Sequence, residues 1–158
     1  MTSPALAPVR PEHADAVDAL ILRSKAFWGY DAEIMNVMAR VLRLDREAMK
    51  AGRTLAGWIG DRPIGICQIS EPYETARGRA MELQLLFIGP EAIGTGLGRT
   101  LYAWAIDQAR AASCVRLDIL SDPNATGFYA AMGARFVEDR ASKTIPGRTL
   151  PWYEHDLR

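Results

Sequence analysis

The passage from an apolar strand into an amphipathic helix through alternating glycines constrains this chain more than any other feature. It reads Leu85-Leu86-Phe87-Ile88-Gly89-Pro90-Glu91-Ala92-Ile93-Gly94-Thr95-Gly96-Leu97-Gly98-Arg99. Upstream, Ala80 to Ile88 alternates and then turns continuously apolar, as a central strand buried on both faces does. Downstream, Leu97, Leu101, Trp104, Ala105 and Gln108 recur three or four residues apart and predict a helix, and Val115 to Leu120 predicts another strand. The unit is βαβ. Glycine lets a backbone approach a ligand closely, and the unpaired N–H groups that open a helix, at its positive end, suit a pyrophosphate. The same glycines also fit a purely architectural turn, so the motif alone does not decide. Gly98 precedes Arg99-Thr100, not the Gly-Lys-Ser/Thr of a Walker loop. The glycines also follow three predicted strands and two helices, too late for the first βαβ unit of a Rossmann fingerprint.

Before this unit, residues 5–10 predict a short strand, and Pro11-Glu12-His13 opens a helix with Val17, Leu20, Ile21 and Ser24 at helical spacing. Helical periodicity resumes at Ile34, Met38 and Val41 after Phe27-Trp28-Gly29-Tyr30-Asp31, and a further turn runs from Asp45 to Lys50. Thr54 to Gly60 and Pro63 to Ser70 predict an antiparallel hairpin about Gly60-Asp61-Arg62, followed by a polar Glu71–Arg79 connection. Pro123 can start a short helix, and Ala134 to Val137 and Trp152 to Leu157 predict closing strands. With 158 residues and no repeat, low-complexity tract or linker, the expectation is one domain over residues 1–158.

Lys+Arg and Asp+Glu both number 19, so no basic run offers a nucleic-acid footprint. The start Met1-Thr2-Ser3-Pro4-Ala5-Leu6 lacks the charged opening and apolar run of a secretory signal, and the longest apolar stretches have only strand length. The expectation is a cytoplasmic protein that engages neither membrane nor nucleic acid. Cys67 and Cys114 lie in apolar strand-like segments and read as buried, inert thiols.

Ile93-Gly94-Thr95-Gly96-Leu97-Gly98 and, later, Phe128-Tyr129-Ala130-Ala131-Met132-Gly133 occur in an order and spacing that resembles the GNAT superfamily of acyl-CoA N-acyltransferases. The predicted strand order resembles that family over nearly the whole chain. Two positions depart from its pattern. Ile93 stands where Arg or Gln is usual, and Asp122, with Asn124 two residues on, stands where Asn usually precedes the Tyr. The resemblance implies an α/β (α+β) fold: a mixed, mostly antiparallel central sheet of six to seven strands flanked by helices, with a splayed central strand pair binding acyl-CoA. It implies acetyl-CoA as co-substrate and is compatible with a homodimer. The residues give no metal site.

By resemblance, the main chain of Leu86, Phe87 and Ile88 bonds the pantetheine arm, and Gly94, Thr95, Gly96, Leu97, Gly98 and Arg99 hold the pyrophosphate. Asp122, Asn124, Phe128 and Tyr129 complete the cofactor set. The physical reason is general: an open strand edge offers N–H and C=O groups to an amide-bearing ligand. One such N–H, aimed at the thioester oxygen, would stabilise the charge it gains during attack. Tyr129 is the candidate general acid, since a phenol with a pKa of about 10 can donate to a departing thiolate; packing beside Phe128 is its other reading. An acceptor amine must lose a proton before it attacks, and Glu82, in the strand leading to the site, is the candidate base. A solvent-facing or arginine-paired Glu82 is equally in keeping with the pattern, with Glu74 and Glu71 as weaker alternatives.

Ser24-Lys25-Ala26-Phe27-Trp28-Gly29-Tyr30-Asp31 sets aromatics around a glycine between two helices. By resemblance this region walls the acceptor site, so Trp28 and Tyr30 are candidate substrate contacts; capping a helix corner is the alternative. Arg148 lies in the loop Pro146–Pro151, where it either reaches the acceptor or stays solvated. A guanidinium at the acceptor would suit a carboxylate. The expected activity is acetyl transfer from acetyl-CoA to a primary amine of a small molecule or amino acid. A non-catalytic acyl-CoA-binding or regulatory module is the alternative.

Overall fold

The computed structural model describes residues 3–158, so Met1 and Thr2, read above as part of the N-terminal segment, lie outside the described residues. Eight strands form one sheet: β1 (Ala5–Ala7), β2 (Thr54–Ile59), β3 (Arg62–Ile69), β4 (Tyr73–Thr75), β5 (Gly78–Ile88), β6 (Arg116–Leu120), β7 (Arg135–Ala141) and β8 (Thr149–Asp156). Their order is β1-β2-β3-β5-β6-β8-β7, with β4 paired to β5. Neighbours are antiparallel except β5 and β6, which run parallel, and α4 (Leu97–Ala111) makes the crossover a parallel pair requires. Helices α1 (Ala14–Ala26), α2 (Ala32–Val41) and α3 (Arg46–Lys50) lie between β1 and β2, and α5 (Thr126–Ala131) lies between β6 and β7.

The mixed, mostly antiparallel sheet is the expected one, with eight strands in place of six to seven. β4 sits inside the polar connection, where Thr75 Oγ1 donates to the Gly78 carbonyl at 2.6 Å and closes the turn into β5. β1 stops at Ala7, short of the expected residue 10, because Pro8 has no N–H to give the ladder. β7 and β8 run longer than expected because they pair with each other from Arg135↔Glu154 to Ala141↔Thr149.

Two apolar layers cover the sheet. On one face α4 packs Leu97, Leu101, Tyr102, Ala105 and Ile106 against Cys67, Leu83, Leu117 and Ile119. On the other, α1 packs Val17, Leu20 and Ile21 against Ala56, Trp58, Ile66 and Leu85. Leu83 and Leu85 share a parity in sequence, yet they belong to opposite layers. The cause is a β-bulge: Ile69 pairs with Leu83 and Gln68 with Leu85, so Gln84 is an extra residue. Beyond it Leu86 and Ile88 pack with the α4 layer and Phe87 with the α1 layer. Gly57 and Gly65 let α4 approach closely, since a Cβ on either would stand 2.8 or 2.7 Å from the Leu97 side chain.

Candidate active site

β6 pairs with β5 only from Ala80↔Arg116 to Leu83↔Ile119, whereas β5 continues to Ile88. β6 ends at Leu120 and the chain turns away at Ser121-Asp122. From Gln84 onward, the β5 edge that faced β6 has no strand partner. Parallel pairing thus gives way to a splay at the bulge, and a cavity of about 900 Å3 opens there. Leu86, Phe87 and Ile88 line its length, with Gly94, Gly96, Gly98 and Arg99 at one part and Glu82, Trp28 and Arg148 at another.

Gly94 (φ +81°) and Gly96 (φ +89°) adopt the left-handed conformation, and Gly96 is the residue before α4. A Cβ on either would meet nothing within 4 Å, so both present bare backbone to open space. The Thr95 hydroxyl donates to the Ala92 carbonyl at 2.6 Å and accepts from the Leu97 amide at 3.4 Å, which stiffens the turn. Thr95 and Leu97 stand outside the cavity lining, Leu97 being 4% exposed in the core. Of the expected cradle residues, Gly94, Gly96, Gly98 and Arg99 are therefore the ones that face a ligand. A fifteen-residue helix opening on bare glycine backbone beside an arginine, next to an unpaired strand edge, fits a molecule with a pyrophosphate and an amide-bearing arm.

Tyr129 lies at the edge of the core beside the cavity. Its ring is core, 6% exposed and 5.3 Å from Phe128, 6.0 Å from Tyr102 and 6.3 Å from Tyr153 between centroids. The residue also lines the cavity. Burial raises its pKa above the ordinary phenol value, which keeps the proton in place at neutral pH. Glu82 lines the same cavity, and its carboxylate takes the Lys143 ammonium at 3.1 and 3.4 Å. Its amide donates to Ser70 Oγ at 2.9 Å, which fixes the strand beneath it.

Lys25, Asp122, Asn124 and Arg148 of the cavity wall belong to a polar cluster. Lys25, 8% exposed at the end of α1, donates to Asp122 Oδ2 at 2.5 Å, and the Tyr30 hydroxyl donates to the same oxygen at 2.6 Å. Asp122 Oδ1 accepts the Asn124 amide at 2.7 Å and Asn124 Nδ2 at 3.0 Å. Burial works to raise the Asp122 pKa, but hydrogen bonds from Lys25 and Tyr30 outweigh it and hold the carboxyl below its usual range. Burial and donation to Asp122 raise Tyr30, which stays a neutral phenol. Arg148 Nη2 donates to the Tyr30 hydroxyl at 3.0 Å, and its guanidinium lies 5.2 Å from the Tyr30 ring centroid.

Trp28 and Arg148 line the cavity, whereas Tyr30 is outside the lining and hydrogen-bonds to Asp122 and Arg148. Asp122, with both oxygens satisfied, is a hub for the cluster; Asn124, Phe128 and Ile93 join the lining. Sequence reasoning assigned no role to Lys25, Gln84 or Lys143. Lys25 carried one signal, its place beside the aromatic run. Gln84 carried none, since it continues the polar–apolar alternation of Glu82-Leu83-Gln84-Leu85.

The strands that part after Leu83 and the glycine-opened helix beside them are the features through which the sequence resembles the GNAT acyltransferases. Residues 22–134 match the model of the acetyltransferase (GNAT) family, and this chain belongs to that family of acyltransferase enzymes. It is 31% identical over 110 residues, 70% of this chain and 68% of the relative, to the thialysine N-epsilon-acetyltransferase of Caenorhabditis elegans. Among solved structures it superposes on a GCN5-related N-acetyltransferase from Rhodopseudomonas palustris (TM-score 0.76, 23% identity, 99% of this chain and 98% of that one). It also superposes on the PaiA N-acetyltransferase from Thermoplasma acidophilum in complex with coenzyme A (TM-score 0.78, 16% identity, 98% and 99%). Those likenesses speak to the fold. No helix among the described residues is long and apolar enough to cross a membrane.

Proposed function

We propose that this enzyme transfers an acetyl group from acetyl-CoA to the primary amine of a small molecule. The observation that carries the proposal is the end of β5–β6 pairing at Leu83, which leaves an open strand edge leading to bare glycine backbone at the start of α4. The coenzyme A bound to the Thermoplasma acidophilum relative and the amine-acetylating name of the Caenorhabditis elegans one support the reading. The free, buried thiols of Cys67 and Cys114 suit the reducing cytoplasm in which we place it.

Acetyl-CoA supplies an activated acyl group as a thioester. The main chain of Leu86 to Ile88 binds its amide-bearing arm as a further strand would, and Gly94, Gly96, Gly98 and Arg99 hold the phosphates. The bulge at Gln84 re-aims a peptide unit toward the splay, where an N–H can meet the oxygen that gains charge. Glu82, directly or through one water, takes the proton that the acceptor ammonium must lose before its nitrogen attacks. The incoming ammonium displaces Lys143 from this carboxylate. As the nitrogen–carbon bond forms and the carbon–sulfur bond breaks, the attacking nitrogen gives its second proton to solvent, Tyr129 gives its proton to the departing thiolate, and solvent restores it. The test is thiol release from acetyl-CoA with a panel of primary amines, the N-acetyl product being identified by mass. No thiol release with any amine, from protein that acetyl-CoA stabilises against heat, would overturn the proposal.

A further inference from the structure

The acceptor end of the cavity carries one positive charge that the protein does not neutralise. Lys25 is paired with Asp122 and Lys143 with Glu82, while Arg148 forms no ion pair among the described residues. Asp122 cannot serve it, because its two oxygens already accept from Lys25, Tyr30 and Asn124. A guanidinium has five N–H donors, and Arg148 uses one, toward Tyr30. The group is nonetheless held in place. It lies against the Tyr30 ring, and its loop is closed by Ser142 N donating to the Arg148 carbonyl at 2.7 Å and Arg148 N donating to Ile145 at 3.2 Å. Tyr30 is fixed in turn by Asp122, so Arg148 is braced from the side away from the cavity it lines. A braced planar fork with free donors in a concave site is built for an anion that accepts two parallel hydrogen bonds.

We propose that the acceptor amine carries a carboxylate, which Arg148 binds through paired hydrogen bonds, with Tyr30 as the residue that positions the guanidinium. This rests on the reading of the cavity as an acetyl-transfer site, and it adds the substrate class. Carboxylate is favoured over phosphate by charge. A phosphate monoester carries nearly two negative charges at neutral pH; Arg148 answers one, Lys25 stays paired with Asp122, and the Lys143 side chain that the acceptor displaces is 65% exposed to solvent. The acceptor is then an amino acid, with its ammonium at Glu82 in place of Lys143 and its carboxylate at Arg148.

The experiment uses matched amines: amino acids, the same molecules with hydrogen in place of the carboxylate, and the same with a phosphate monoester. In the wild type, kcat/KM should be at least about tenfold higher for the carboxylate members. In Arg148→Ala that preference should fall to within about twofold, through KM, with kcat and acetyl-CoA affinity unchanged. Arg148→Lys, which keeps the charge and loses the fork, should fall between them. The proposal is overturned by equal rates across each set in the wild type, by preference for the phosphate members, by preference that survives in Arg148→Ala, or by loss of acetyl-CoA affinity in that variant. Thermal shifts with the same amines in the presence of coenzyme A separate the two readings. A carboxylate-dependent shift lost in Arg148→Ala, without turnover, keeps the carboxylate site and removes acetyl transfer. Turnover without carboxylate preference does the reverse.

Discussion

Tyr129 and Lys25 show how far single residues explain the site. Tyr129 was legible because a Phe-Tyr pair ahead of a glycine turn resembles a family motif; its ring is buried and the residue lines the cavity. Tyr129→Phe should lower kcat by about 10- to 1000-fold while acetyl-CoA affinity, measured by calorimetry, stays within about twofold. Retained turnover would make Tyr129 a packing residue and water the proton source. Glu82→Gln should remove or shift the acidic limb of the pH–rate profile and leave acetyl-CoA binding intact; a wild-type profile would point to Glu74, Glu71 or solvent. Lys25 was not legible, since a lysine in the last turn of a helix reads as solvated, and its partner Asp122 is 97 residues away. Lys25→Met should cost about 3 kcal/mol in urea unfolding, because it strands part of a buried carboxylate network. The pH sign follows from Asp122, whose folded pKa lies below its unfolded value of about 3.9. That contribution is present above the unfolded pKa and lost as pH falls through the folded one. The gap in melting temperature between wild type and Lys25→Met should therefore narrow as pH falls from about 6 to about 3.

The elements that build the cavity were legible to different degrees. The hairpin of β2 and β3, the strand β5 and the helix α4 follow from turn composition and periodicity, and the structure places them where expected. The bulge at Gln84 did not follow, because one inserted residue is set by pairing with Gln68 and Ile69, which a strand's own pattern does not reveal. β4 was missed for a similar reason: three residues gain strand character only from their partners on β5. The approach of α4 to the sheet is open to test at Gly65. Gly65→Ala puts a Cβ 2.7 Å from Leu97, so it should destabilise by about 1–3 kcal/mol, and adding Leu97→Ala should return part of that loss. Additive losses in the double-mutant cycle would show that the contact is not what limits the approach. Just before Leu97, Gly96→Val forces a β-branched residue to φ near +89° and fills the open cradle. Folded Gly96→Val should lose the melting-temperature rise that acetyl-CoA gives the wild type, and an unchanged rise would remove the cradle assignment.

At the scale of the molecule, the cavity exists because segments far apart in sequence converge on one splay. The turn after α1, the free end of β5, the start of α4, the turn before α5 and the loop between β7 and β8 each contribute to its wall. Family motifs mark the start of α4 and the helix α5. The acceptor side is marked by no motif, so Arg148 was nameable from the sequence but its bracing by Tyr30 and Asp122 was not. A zero formal net charge likewise said nothing about where charge gathers, and Arg148 lines the cavity with no ion pair among the described residues. The central claim is that this site moves an acetyl group from acetyl-CoA to an amine. Its most direct measurement is the stoichiometry of free thiol and N-acetylated amine formed from acetyl-CoA, compared between wild type and Tyr129→Phe at saturating cofactor. The account predicts one product per thiol and at least a tenfold slower rate in the variant. Thiol release without N-acetylated product, or no release with any amine, would contradict it.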